Sequence, residues 1–169
     1  MNGHPGGAEH SLRMLELSGL APGCRVLDMG AGAGETVELL RSRGYEAVGI
    51  DIEPRGINVE RGDMLHTGYA SGSFDAVISQ CAFYVSGDVP GAFRESARVL
   101  RSGGILMLSD VVYEPVVPAA EAAGFEILHR EDMTAVWREY YIAAIWAGTA
   151  DCRCGREKCG YELLVCRKK

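Results

Sequence analysis

Long apolar runs are missing from this sequence. None reaches the roughly 18 residues that a membrane-spanning helix needs, so no membrane association is expected. The opening MNGHPGGAEH has neither the basic start nor the apolar stretch of a secretory signal. No Lys/Arg stripe appears and the net charge is -6, which disfavours phosphate-rich partners, so no nucleic acid is expected as acceptor. Repeats and low-complexity segments are absent as well. What remains is a cytoplasmic, globular protein. With 47% hydrophobic residues in 169, disorder is excluded and one domain with one sizeable core, spanning 1–169, is expected.

Short apolar runs alternate with amphipathic stretches. Residues 9–20 read as a helix ending at Gly19, and 25–29 as a buried strand running into GAGAG. The segment 35–43 reads as a helix closed by Gly44. Strands are expected at 46–51, 57–60, 74–80, 104–109 and 125–130, with YELLVCR as the last. Helices are expected at 90–101, 115–123 and 134–147. A turn at Ser102-Gly103-Gly104 should precede the strand at 104. Strands alternating with helices imply an α/β fold, a mostly parallel sheet with helices on both faces.

The most informative segment is VLDMGAGAG, residues 26–34. A strand delivers the chain into Gly30, Gly32 and Gly34, and a helix starts directly after. Glycine spacing alone would also suit a nicotinamide dinucleotide fold, where GxGxxG cradles a pyrophosphate. Here the pattern is GxGxG, and Asp28 stands two residues before the first glycine. A carboxylate there repels a pyrophosphate but can accept hydrogen bonds, through water, from a ligand's ammonium group. S-adenosylmethionine has such an ammonium and no phosphate. The second strand ends in Asp51, which can accept both ribose hydroxyls of either cofactor. In Gly62-Asp63-Met64, Asp63 can accept an adenine amino group and Met64 can pack on the ring, although an isolated loop Asp more often caps its own turn.

The order VLDMGAGAG, VGIDIEP, GDM, GSFDAVIS and RVLRSGGILMLSD resembles the class I methyltransferases of the type-11 kind over roughly residues 12–110. The resemblance implies a Rossmann-like sheet of seven strands with the last antiparallel. It also implies an S-adenosylmethionine site formed by Asp28, Gly30, Ala31, Gly32, Asp51, Ile52, Asp63, Met64, Ser79 and Gln80. The start His4-Pro5-Gly6-Gly7 is similar to an arginine-containing stretch of some relatives, and no role is assigned to it.

The sequence also departs from that family. Many relatives insert an acceptor-binding segment after the fifth strand, whereas only about fifteen residues separate Ser109 from Phe125 here. The Asp/Asn-Pro-Pro-aromatic run of nucleobase and glutamine-amide methyltransferases is replaced by Ser79-Gln80-Cys81-Ala82-Phe83-Tyr84. Cys81 resembles the position of a metalloid-binding cysteine in arsenite methyltransferases. It reads either as a catalytic acceptor contact through a soft thiolate or as a small buried hydrophobe. The tail, residues 149–160, carries Cys152, Cys154 and Cys159, a partial match to a zinc or other soft-metal site. Redox use and an uncommitted loop are the alternatives. The helix 134–147 is apolar nearly all round. It reads as a buried helix or, alternatively, as a lid or a surface for a homodimer or partner subunit.

The expected function is therefore methyl transfer from S-adenosylmethionine to a small-molecule acceptor, a thiol or metalloid among the candidates. The alternative is an S-adenosylmethionine-binding subunit whose partner protein supplies the acceptor site. Neither His66 nor His129 has a clear claim to act as a base.

Overall fold

A computed structural model describes residues 4–148 and 159–169. The first helix, α1 (Gly7–Ser18), ends at Gly19 in the left-handed region, as the sequence implies. The elements β1 (Arg25–Met29), α2 (Glu35–Ser42), β2 (Glu46–Asp51) and β3 (Val59–Arg61) follow. After them come β4 (Phe74–Gln80), a short 3₁₀ turn at Tyr84–Ser86, α3 (Val89–Val99) and β5 (Leu100–Val112). The chain closes with α4 (Val117–Ala122), β6 (Phe125–Asp132), α5 (Thr134–Trp146) and β7 (Gly160–Lys168). The strands form one seven-stranded sheet in the order β3-β2-β1-β4-β5-β7-β6. β1 through β5 pair in parallel, and β7 runs antiparallel between β5 and β6. This is the Rossmann-like arrangement with a reversed last strand.

Strand alternation divides the core into two layers. Leu27 and Met29 of β1, Val77 of β4 and Leu106 and Leu108 of β5 join one cluster with Phe93 of α3 and Ala120 of α4. The intervening Val26, Ala76, Ile78, Ile105 and Met107 join the opposite cluster with Met14 of α1 and Val37 and Leu40 of α2. Consecutive residues on a buried strand therefore serve opposite faces, which explains why these strands read as nearly continuous apolar runs. β1 and β4 are neighbours, yet the chain leaves β1 toward β2 and leaves β4 toward β5. Between their carboxyl ends lies the point where strand order reverses, the usual place for a ligand crevice in such sheets.

Two expectations need correction. The turn at Ser102-Gly103-Gly104 does not precede β5 but lies within it. Pairing begins at Leu100 opposite Phe74 and shifts register before Ile105, while Gly103 takes φ 74°. The helix α5 is not buried: only Trp137 and Ala144 are inside, and Ile142 and Trp146 are 54% and 87% exposed. Among the described residues, no helix is long and apolar enough to cross a membrane.

Phe93 is fully buried between the edges of Phe83 and Phe125. Phe93→Ala should cost about 3–5 kcal/mol, read as a lower urea midpoint with an unchanged slope.

Candidate cofactor and acceptor site

A cavity of about 420 Å³ opens at the carboxyl ends of β1, β2 and β4, within the size range of small-molecule sites. Asp28, Gly30, Ala31, Gly32, Asp51, Ile52, Asp63, Met64, Gln80 and Cys81 all line it. Ser79 does not, for a reason that strand alternation supplies. It shares its face with Val77, is fully buried, and its hydroxyl donates to the Met29 carbonyl at 2.7 Å. Gln80, one residue on, turns to the α1/α2 side and reaches the cavity.

The glycine loop brings backbone close to its neighbours. Gly30 has φ 83°, and an added Cβ would collide with the Ala82 methyl group. The loop is pinned from below, since the amides of Gly30 and Ala31 both donate to the Ile50 carbonyl at 2.9 and 3.0 Å. Asp51 holds it from the side. One carboxylate oxygen accepts from the Gly32 amide and the other from the Glu53 amide, both at 2.9 Å. Each oxygen keeps a free lone pair for a ligand. Asp63 accepts from the Leu65 amide at 2.8 Å, so the turn-capping role is present alongside its place in the cavity wall.

Asp28 differs from both. It is fully buried, and its carboxyl accepts no hydrogen bond among the described residues. Desolvation first, and the Asp51 charge second, push it up to about 7. Its carboxyl lines the cavity, where it can accept from a ligand's donor. The lining also includes Asp51, Asp63 and Glu35, against the cationic Arg55. The balance favours a ligand with positive charge.

Gln80 is saturated by its own chain. Its Oε1 accepts from Ser11 and Thr36, each at 3.1 Å, while Nε2 donates to His4 Nδ1 at 3.1 Å and to Met14 sulfur at 3.7 Å. It ties α1, α2 and the N-terminal segment to the cavity floor. His4 lines the cavity, and burial lowers its pKa, which keeps the imidazole neutral. Sequence reasoning gave no role to His4, nor to Thr36, Arg55, Val85 and Ser86. Thr36 alone had a legible signal, a hydroxyl in the first turn after the glycines. The others reach the cavity through tertiary folding.

Cys81 stands at the end of β4 with φ 56°, the one described non-glycine residue in the left-handed region. Its amide donates to the Ser109 carbonyl at 2.9 Å, and its sulfur lies 3.2 Å from the Tyr161 hydroxyl. Burial pushes the thiol up to about 12. Burial thus works against the soft-thiolate reading of Cys81 and favours the protonated thiol. Cys159 and Cys81 each pack against the cluster of Val111, Trp137 and Tyr161. Cys152 and Cys154 lie outside the described residues. Among the described residues no three His, Cys, Asp or Glu side chains are grouped to hold a metal ion.

Comparison with known proteins gives the class. Residues 27–108 match the model of the methyltransferase domain family, and the sheet has the Rossmann-like order described above. A sterol 24-C-methyltransferase of Gibberella zeae is 26% identical over 76% of this chain and 46% of its own length. An arsenite methyltransferase of Aquipseudomonas alcaligenes is 28% identical, covering 79% and 46%. The chain thus spans about half the length of these relatives. Among solved structures, a phosphoethanolamine methyltransferase of Haemonchus contortus bound to S-adenosylhomocysteine superposes with TM-score 0.79 at 17% identity, covering 98% of this chain and 53% of that one. The [4+2]-cyclase SpnF superposes at 0.77 with 23% identity, covering 95% and 80%.

The buried carboxyl of Asp28 has a measurable consequence. Its native pKa lies above the value of about 3.9 in an unfolded chain, so between those values the folded state binds more protons. Its contribution to stability is therefore lost as pH rises toward and through 7. Asp28→Asn should melt at a higher temperature than the parent at pH 8, with the difference shrinking by pH 5.

Proposed function

We propose that the protein transfers the methyl group of S-adenosylmethionine to a small-molecule acceptor. The observation that carries this reading is the acidic glycine-loop cavity, and above all the desolvated carboxyl of Asp28 that lines it. A nicotinamide dinucleotide would bring a pyrophosphate against that carboxyl. S-adenosylmethionine brings an ammonium and a sulfonium. In this reading Asp28 takes the ammonium directly or through water, Asp51 the ribose hydroxyls, and Asp63 and Met64 the adenine. Gly30, Ala31 and Gly32 let the backbone approach, and Ile52 covers the mouth.

When bound, the cofactor supplies a methyl group already activated on a sulfonium. The protein's own contribution is then alignment and exclusion of water. The glycine loop and the Cys81–Ser86 loop form facing walls, and Gln80 fixes the floor through four hydrogen bonds. The protonated thiol of Cys81 and the Tyr161 hydroxyl offer neutral polar contacts, so an acceptor with an available lone pair fits this end better than one that must lose a proton to them.

A second reading is a cofactor-binding subunit completed by a partner. It is favoured by the β5–β6 connection, which holds only the short α4 within residues 113–124. Turnover by the isolated protein with any small acceptor decides between the two.

Calorimetry with S-adenosylhomocysteine should show saturable binding, and NAD should show none. Binding of the ligand's ammonium lowers the Asp28 pKa, so near pH 7 association should release a fraction of a proton. Titrations in buffers of different ionisation enthalpy read that release directly. Tight NAD binding with no signal for S-adenosylhomocysteine would sink the assignment. Asp51→Ala should weaken S-adenosylhomocysteine by about 1–3 kcal/mol, while an unchanged affinity in the folded variant would remove Asp51 from the site.

A further inference from the structure

The loop leaving β4 has an unusual anchor. After Cys81 in its left-handed conformation, the amides of Ala82, Phe83 and Tyr84 turn toward one buried side chain, Asp110 at the carboxyl end of β5. The Phe83 and Tyr84 amides donate to its Oδ2 at 2.7 and 3.3 Å, and the Ala82 amide adds a weaker pull toward the charged form. The Val111 amide donates to Oδ1 at 2.7 Å. Successive amides converging in this way make a concavity that binds an anion, and here the anion belongs to the chain itself. Asp110 is 2% exposed and lies outside the residues that line the cavity. Burying a carboxylate is costly, and the core gains nothing from it that an apolar side chain would not give. What the carboxylate does achieve is to fix the loop that carries Cys81, Ala82, Val85 and Ser86, all of which line the cavity. The same loop carries the Ala82 methyl group into the space that a Cβ on Gly30 would need, so the two walls of the site meet there.

We propose that Asp110 is a positioning residue for methyl transfer, its ionised carboxylate filling the amide concavity of residues 82–84 and holding the Cys81–Ser86 loop in the shape that closes the site. This rests on the reading that the cavity takes S-adenosylmethionine. Only the ionised form accepts at both oxygens without placing a proton against an amide. Desolvation, opposed by those amide bonds, pushes Asp110 up to about 7. The anchor therefore weakens as pH falls through 7 and is complete above 8. Among the described residues, the titratable groups that face it are Cys81 at the end of β4 and Tyr161 on β7. Both have pKa values raised well above neutrality, so neither changes charge in that window. Asp28 also titrates near 7 but acts within the cavity and accepts from none of these amides.

The test needs two readouts. The first is a pH titration, from 5 to 9, of the backbone amide signals of Ala82, Phe83, Tyr84 and Val111 in ¹⁵N-labelled protein without ligand. They should move together with a midpoint near 7, keep doing so in Asp28→Asn, and stop in Asp110→Asn. The second is calorimetry with S-adenosylhomocysteine at pH 8. In folded Asp110→Asn the affinity should fall about tenfold, the size expected for losing a charge-assisted anchor. Amides that stay fixed across this range in the wild-type protein overturn the proposal, as does a folded Asp110→Asn that binds like the parent. Failure of the wild-type protein to bind S-adenosylhomocysteine at any pH overturns the cofactor reading instead, and the amide titration still decides whether Asp110 holds the loop. The same titration decides it if Asp110→Asn does not fold.

Discussion

Two carboxylates are buried at the carboxyl edge of the sheet, and the organisation of that edge follows from how each is satisfied. Asp28 and Asp110 are both desolvated enough to sit near pKa 7. Asp110 is surrounded by amides of its own chain and gives order to a loop. Asp28 accepts no hydrogen bond from the described residues and faces a cavity. One is satisfied within the protein, and in the proposed function the other meets the ligand. Buried ionisable groups of this kind concentrate at functional sites because they work against stability. Here they flank the strand-order reversal between β1 and β4, where the fold leaves a crevice in any case.

Much of this was legible in the sequence because local signals and tertiary structure agree. The strands 25–29, 46–51 and 74–80 appear with the boundaries their apolar runs imply. GAGAG between a strand and a helix predicts the loop at the cavity, and acids at the ends of strands predict its charge. Where the reading fails, a definite physical term is responsible. Ser79 and Gln80 look equivalent in a motif, but a period of two sends them to opposite faces, and only Gln80 reaches the site. Glycines 103 and 104 suggest a turn, yet the strand pairing of β5 absorbs them with a shift in register. The helix α5 has the composition of a buried element and is mostly exposed, because apolar content does not say which neighbours exist to cover it. Cys81 lines the cavity, and the surroundings that disfavour its thiolate include Tyr161, eighty residues further on, which no local pattern announces.

The fold by itself does not choose a reaction. A phosphoethanolamine methyltransferase and a [4+2]-cyclase both superpose on this chain closely, so architecture supplies a crevice and the side chains in it supply chemistry. The family match over residues 27–108 covers the strands that build the cofactor side. In the proposed reading the acceptor side is made from the Cys81–Ser86 loop and the residues near Tyr161, with little added structure between β5 and β6.

The most direct test of the account is a crystal structure of the protein with S-adenosylhomocysteine. The account predicts the ligand's ammonium beside Asp28, directly or through one water, its ribose hydroxyls on Asp51, and its sulfur facing the Cys81–Ser86 loop. A ligand bound elsewhere, or one lying in the cavity with its adenine end against Asp28, would contradict it.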